Sequence, residues 1–354
     1  MASTNHHQKS VLIPGVGCES FVDSVFELMS DHGIEPERAR SREEFFANGE
    51  LRIQILHPDN TTTGKSLLRD KHIYLIGTGA GTDSRKFSIN DVIMHTFGIL
   101  DACQRSGAKS ITLLWLLFPY TRSDKKTISR EPIMASMLMG MLDNFDRLKR
   151  IVTIDIHSGQ LQGFTSRKAF DNLYANKYLS RGILRLINEK YSKDSIAIIS
   201  PDTGSIRRTR DYLKDLAELN PINFMISKTR SYVENNVVEQ SIISVHDSEI
   251  LWGYTALIID DMIDTAGTIC STAKLLEGVN VKRIIVVATH GILSDPAIER
   301  LNNCDLITDV IVTDTIDQTV NLKRCSKLRV VSVAPLIAHS LSLIFKGMSL
   351  STLY

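Results

Sequence analysis

Along the chain, short apolar runs alternate with longer stretches of helical spacing. The runs fall at Ser10–Pro14, Leu51–Leu56, His72–Gly77, Ser110–Phe118, Arg150–Asp155, Ser195–Ser200, Ile222–Ser227, Thr255–Asp261, Arg283–Ala288, Asp309–Thr313 and Leu328–Val333. Most are continuous Val/Ile/Leu segments rather than alternating ones. Continuous runs predict parallel strands covered on both faces. Between them, Phe21–His32, Asp91–Ser106, Pro132–Asp143, Leu179–Tyr191, Ile206–Leu219 and Ile269–Glu277 place apolar residues at helical intervals. Strand–helix alternation predicts an α/β protein with mostly parallel sheets. It occurs twice, on either side of about residue 173. The reading is therefore two domains, 1–173 and 174–335, with a C-terminal segment, 336–354, that packs back. No sequence repeat joins the two halves by eye.

Composition narrows the function. A net charge of +1 gives no global attraction to nucleic acid or to an anionic membrane, so an anionic substrate must meet a local basic cluster. The cysteines (Cys18, Cys103, Cys270, Cys304, Cys325) are odd in number and form no C-x-x-C pair. That predicts reduced thiols and no zinc site. Met1–Ser10 is polar, and the longest apolar run, Ile111–Phe118, is far too short to span a bilayer. A cytoplasmic protein is the expectation. His6 and His7 lie in a polar tail and read as no more than that.

The most informative segment is Ala256–Thr268. An apolar strand runs into the adjacent carboxylates Asp260 and Asp261, then through Asp264, Thr265, Ala266, Gly267 and Thr268 into a helix. Small residues let a backbone approach a phosphate closely, and their N–H groups at a helix start supply donors and partial positive charge. The threonine hydroxyls add donors. The two carboxylates would repel a phosphate but suit neighbouring sugar hydroxyls. One end of the string thus fits a phosphate and the other a ribose diol. For Asp264 alone, helix capping is the plainer reading. Thr63-Gly64-Lys65-Ser66 is set aside, because a P-loop needs glycine where Asp59 stands.

This string resembles the loop that binds 5-phosphoribosyl 1-diphosphate (PRPP) in phosphoribosyltransferases and in ribose-phosphate pyrophosphokinases. By itself it does not separate the two. Other segments favour the second family. Phe118–Ile133 gathers Arg122, Lys125, Lys126 and Arg130 before a helix, the kind of cluster a polyphosphate requires. It is similar to the pyrophosphokinase pattern Y-A-R-Q-D-K/R-K with S-R-x-P-I after it. The resemblance implies ATP contacts at Arg122 and at Ser123, where the family has Gln. Ile154–Phe164 resembles D-L-H-x-x-Q-I-Q-G-F. Asp155 and His157 are two apart at a strand end, which sets both on one side. The resemblance implies Mg²⁺ there, although Mg²⁺ prefers oxygen ligands and chemistry alone would not choose a histidine. Ser200–Ser205 resembles S-P-D-x-G-G and adds Asp202 as a metal contact. Lys228-Thr229-Arg230 resembles the K-x-R at the base of a catalytic loop, with Lys228 and Arg230 stabilising the transferred phosphoryl group.

The ends extend the match. Phe46–Glu50 resembles F-S-D-G-E, implying that Phe46, Asn48 and Glu50 reach the adenine of ATP on a neighbouring subunit. The C-terminal Ser349–Tyr354 resembles S-V-S-Y-L-F. This implies an allosteric phosphate/ADP site made by Ser349 and Ser351 with Ser129, Arg130 and Arg69. The family implies two phosphoribosyltransferase-like (Rossmann-like) domains, a first on the ATP side and a second on the ribose 5-phosphate side, in a homohexamer or a smaller ring of dimers. It also implies transfer of the β,γ-diphosphoryl group of ATP to the 1-hydroxyl of ribose 5-phosphate, giving PRPP and AMP for nucleotide biosynthesis. The alternative is a catalytically inactive homologue that regulates such enzymes. A PRPP-consuming transferase would share the 260–268 string but leave 120–133 and 154–164 unexplained.

Overall fold

The computed structural model describes residues 10–57, 66–82, 87–201, 206–230, 238–243 and 251–354, with 206–207, 227–230 and 238–243 described by backbone alone. The chain divides into two compact units, Met1–Leu173 with Val333–Tyr354, and Tyr174–Ser332.

The first unit runs β1 (Ser10–Pro14), α1 (Glu19–Asp31), β2 (Glu37–Arg38), β3 (Arg40–Phe45), β4 (Leu51–Leu56), β5 (His72–Gly77), α2 (Ile89–Arg105), β6 (Ser110–Trp115), α3 (Met134–Asp143), β7 (Leu148–Ile154) and β8 (Ala169–Leu173). Among the described residues its sheet is parallel, in the order β2-β1-β5-β6-β7-β8. The apolar runs become its central strands because Val11–Ile13, Ile73–Ile76 and Leu113–Trp115 are buried on both faces. β3 and β4 form a separate antiparallel hairpin. β3 (Arg-Ser-Arg-Glu-Glu-Phe) has no apolar face, which is why hydropathy missed it.

The second unit runs α4 (Asn176–Lys190), β9 (Ile196–Ser200), α5 (Ile206–Asp215), β10 (Ile222–Arg230), β11 (Val238–Ile243), β12 (Thr255–Ile263), α6 (Gly267–Gly278), β13 (Arg283–Gly291), α7 (Ala297–Asn302), β14 (Ile307–Thr313), α8 (Thr319–Arg324) and β15 (Leu328–Val331). Its sheet order among the described residues is β11-β10-β9-β12-β13-β14-β15, antiparallel at β11 alone. The chain ends in the first unit with α9 (Ala334–Phe345), which packs against α1; the rings of His32 and His339 stack 5.2 Å apart.

The two sheets repeat one topology that no sequence repeat announces. β1, β2, β5, β6, β7 and β8 occupy the order of β9, β10, β12, β13, β14 and β15. In each sheet the winding reverses beside the first strand, between β1 and β5 and between β9 and β12. Crevices at such reversals, outside the carboxyl ends of the strands, are where open α/β sheets bind ligands. In the second unit β9 ends at Ser200, and β12 ends in Asp260-Asp261-Met262-Ile263 with Asp264–Thr268 following, so the fold brings the end of β12 and the turn after it to that crevice.

All five cysteines are free thiols, as composition predicted. No helix among the described residues is long and apolar enough to cross a membrane.

Gly79 shows how tightly the first unit's loops pack. Its N–H donates to the Leu117 carbonyl at 2.7 Å, and a Cβ built on it would lie 2.5 Å from that oxygen and 2.6 Å from Pro119 Cδ. Leu117–Pro119 leads directly into the Arg122 loop. Gly79→Ala is expected to destabilise the unit by about 1–3 kcal/mol, the usual range for overpacking, with a lowered midpoint in chemical denaturation.

Candidate active site

β12 is buried along its length and ends at Ile263, whose carbonyl accepts the Leu293 N–H at 2.9 Å. The chain then turns through Asp264 and Thr265 to Ala266, which has a left-handed φ of 58°. That conformation is strained by on the order of 1–3 kcal/mol in a residue other than glycine. It lets α6 begin at Gly267 from an N-cap residue whose own side chain makes no cap hydrogen bond. The N–H groups of a helix start, with the helix dipole, suit an anion.

The equivalent helix of the first unit differs at this point. At the start of α2, Ser88 accepts the Asp91 N–H and the Asp91 carboxylate accepts the Ser88 N–H at 2.8 Å, a closed capping box. There a carboxylate already fills the place an anion would take. In the second unit the N-cap residue is Ala266, which offers no such cap.

At the end of β12, Asp261 is buried and Asp260 nearly so. The Asp261 N–H donates to Asp260 Oδ1 at 2.9 Å. Burial raises Asp260 from its ordinary 3.8 to about 7, with the neighbouring Asp261 charge adding to the shift and Arg208 opposing it. Arg208 Nη1, on α5, stands 3.7 Å from Asp260 Oδ1 and 3.6 Å from Asp261 Oδ1. α5 is tied to β9 by the Ser200 and Thr209 hydroxyls, 2.9 Å apart. Asp260 near neutrality can donate to or accept from a sugar hydroxyl. Arg208 was not singled out in the sequence, where it is one arginine among several in a helix. Arg300, on α7, also escaped notice; its Nη1 donates to the Thr265 carbonyl at 2.8 Å.

In the first unit, the acids of the 118–133 loop are held by internal hydrogen bonds and its cations are exposed. Asp124 is buried and accepts Gln160 Nε2 at 2.6 Å. Burial by itself raises its carboxyl, but hydrogen bonds from Ser158 and Gln160 outweigh that and lower it. Glu131 gathers the Thr127 N–H and hydroxyl, at 2.7 and 2.8 Å, and the Ile128 N–H. Arg122, Lys125, Lys126 and Arg130 are left exposed. Ser123 accepts the Met134 N–H on its hydroxyl at 3.3 Å and the Ala135 N–H on its carbonyl at 3.2 Å, so it holds the start of α3. The Gln160–Asp124 bond ties segment 154–164 to this loop.

Asp155 and His157 are not set on one side as strand alternation predicted. β7 ends at Ile154, and Asp155 has a left-handed φ of 41°. That turn breaks the two-residue period; Asp155 is buried and His157 exposed. Asp202 lies outside the described residues. Lys228 and Arg230, placed by the sequence after the strand, lie within β10, paired with Gln240 and Val238 of β11. Phe46–Glu50 forms the exposed tip of the β3–β4 hairpin, where the Asn48 side chain accepts the Glu50 N–H at 3.1 Å. Ser349 and Ser351 hydroxyls are 2.8 Å apart, and the Tyr354 hydroxyl donates to the Asn172 carbonyl on β8. Arg69, Ser129 and Arg130 are exposed; among the described residues no hydrogen bond joins them to Ser349 or Ser351.

A parallel α/β sheet with an open helix start beside paired carboxylates defines a phosphoribosyltransferase-like fold. Comparison with known proteins carries the assignment further. The N-terminal domain of ribose phosphate pyrophosphokinase matches residues 16–145, and the phosphoribosyl synthetase-associated domain matches 233–354. A ribose-phosphate pyrophosphokinase of Corynebacterium glutamicum is 33% identical over 325 residues, 92% of this chain and 89% of its own length. One of Prochlorococcus marinus is 33% identical over 93% of this chain and 89% of its own. The crystal structure of phosphoribosylpyrophosphate synthetase from Mycobacterium smegmatis superposes with a TM-score of 0.78 at 30% identity, covering 96% of this chain and 99% of that one. The chain belongs to the ribose-phosphate pyrophosphokinase family.

The Asp260 carboxyl makes a testable demand on stability. Its folded pKa lies above its unfolded one, so the protonated form favours the fold, and that advantage is lost as pH rises from about 4 towards 7. Asp260→Asn, neutral at every pH, is expected to melt about 2–4 °C above wild type near pH 8, with the difference vanishing near pH 4. Differential scanning fluorimetry across that range reads it.

Proposed function

We propose that this chain is a working ribose-phosphate pyrophosphokinase: it transfers the β,γ-diphosphoryl group of ATP to the 1-hydroxyl of ribose 5-phosphate. The observation that carries this reading is the start of α6, where N-cap Ala266 makes no side-chain cap, beside the Asp260–Asp261 pair. The 5-phosphate takes the N–H groups of 264–268, with the Thr265 and Thr268 hydroxyls. The ribose diol takes Asp260 and Asp261. A regulatory homologue would have no use for this site kept open.

ATP belongs to the first unit in this reading. The exposed cations Arg122, Lys125, Lys126 and Arg130 suit its phosphates. Ser123, occupied in holding α3, contributes to the nucleotide through the loop it shapes. Mg²⁺ fits the donors available: it keeps water and substrate phosphate oxygens as most of its ligands and needs only one or two protein groups. His157 and Asp202 would hold it, with Asp155 from behind. When bound, the ion neutralises charge on the β- and γ-phosphates.

The 1-hydroxyl oxygen attacks the β-phosphorus in line. The new O–P bond forms as the bond from that phosphorus to the α,β-bridging oxygen breaks; the oxygen leaves with AMP and the hydroxyl proton is released. Lys228 and Arg230 offset the charge spread over the moving group, where positioning and electrostatics supply most of the catalysis. Phe46, Asn48 and Glu50, exposed on a hairpin tip, suit the adenine of a nucleotide on a second copy. That implies a homo-oligomer, a hexamer or a ring of dimers. Arg69, Ser129, Arg130, Ser349 and Ser351 suit phosphate or ADP as an effector.

AMP formation from ATP and Mg²⁺ is expected only when ribose 5-phosphate is added. Lys228→Ala is expected to lower kcat about 10²–10³-fold, the range for loss of one transition-state donor. Sugar-independent AMP, or none from well-folded wild type with phosphate present, would contradict the assignment.

A further inference from the structure

α7 approaches the phosphate loop with one side chain. Arg300 Nη1 donates to the Thr265 carbonyl at 2.8 Å, and a Cβ built on Gly267 would lie 3.5 Å from the same nitrogen. The guanidinium therefore spans the loop from its second residue to the start of α6. The helix that carries it is anchored on the same side: the Cys270 thiol, in the first turns of α6, donates to the Arg300 carbonyl at 3.8 Å.

Two consequences follow from elementary electrostatics. A carbonyl oxygen facing a phosphate would repel it, and the bond from Arg300 directs the Thr265 oxygen to a cation instead. That bond uses one of the several N–H donors of a guanidinium. Arg300 is exposed, and among the described residues it has no carboxylate partner. Its charge and its remaining donors lie beside the start of α6, whose N-cap Ala266 makes no side-chain cap. Lys327, between α8 and β15, reaches the other end of α7 and is a contrast. Its ammonium is spent on the carbonyls of Leu301, Asn302 and Cys304, at 2.8, 3.1 and 2.9 Å, and is a helix brace.

We propose that Arg300 is a substrate-binding residue: its free N–H groups take the 5-phosphate of ribose 5-phosphate while its bonded one holds the Thr265 carbonyl aside. The inference rests on the 264–268 loop being the ribose 5-phosphate site. Guanidinium–phosphate contacts are directional as well as charged, so lysine can replace the charge but not the fork.

The test compares steady-state kinetics of wild type, Arg300→Gln, Arg300→Ala, Arg300→Lys and Thr268→Ala at varied ribose 5-phosphate and at varied ATP. Arg300→Gln and Arg300→Ala are expected to raise KM for ribose 5-phosphate about tenfold or more, the effect of one charge-assisted contact, with kcat and the KM for ATP within about twofold. Arg300→Lys is expected to restore part of the loss. Added NaCl should weaken ribose 5-phosphate use more steeply in wild type than in Arg300→Gln. Arg300→Gln keeps an N–H for the Thr265 carbonyl, so it carries the test should Arg300→Ala melt early. A wild-type KM in Arg300→Gln would overturn the proposal and leave the arginine as a loop brace. Equal losses for both substrates would overturn it too. If Thr268→Ala raises the sugar KM and the Arg300 variants do not, only this inference fails. If none of them changes it, the assignment of the loop itself fails.

Discussion

The second unit depends on β12 lying between β9 and β13, buried on both faces, with its last turns carrying charge. A strand this apolar is held in register by its neighbours, so the residues at its carboxyl end are presented with little freedom. Asp260 and Asp261 emerge there side by side, and burial sets them against each other. Arg208 from α5 relieves part of that conflict without cancelling it, which is why Asp260 stays near neutrality. A few residues on, the left-handed turn at Ala266 starts α6 from a residue whose side chain makes no cap hydrogen bond. Paired carboxylates and a helix N-terminus are thereby fixed a short distance apart on one rigid support.

The first unit repeats the topology and resolves the same position differently. Its counterpart helix, α2, closes its own N-terminus with Ser88 and Asp91. The exposed cations of this unit lie instead in the long loop after β6. There Asp124 and Glu131 accept internal hydrogen bonds, and Arg122, Lys125, Lys126 and Arg130 are exposed. One architecture thus carries two different sets of loops, because the loops set the chemistry and the sheets only place them.

Much of this was legible in the chain. The continuous apolar runs mark the strands within a few residues, because strands covered by helices on both faces have no polar side to obscure them. The phosphate loop was legible because its small residues and paired acids form one contiguous string. The β3–β4 hairpin was missed in part because Arg-Ser-Arg-Glu-Glu offers no apolar face, and β8 because Ala-Phe-Asp-Asn-Leu is mixed. The alternation of Asp155 and His157 failed for a local reason: one left-handed residue turns the chain where period-two reasoning assumes it runs on. Ser123 reads in sequence as a departure from a binding motif, and in the fold it is the group that starts α3.

What the sequence determined by itself was the kind of protein: two mostly parallel α/β halves, free thiols, a loop of small residues after paired acids, and a basic loop. Those properties are local, carried by runs of neighbouring residues, and hydropathy and side-chain chemistry are enough to read them. Only the tertiary structure decided which distant side chains reach the end of β12 and the loop after it. Arg208 and Arg300 lie on helices more than thirty residues from the loop in either direction, and nothing in their own surroundings marks them. They matter because β9, β12 and β13 pair side by side and deliver α5 and α7 to the two ends of one loop, a consequence of strand order that no local pattern contains.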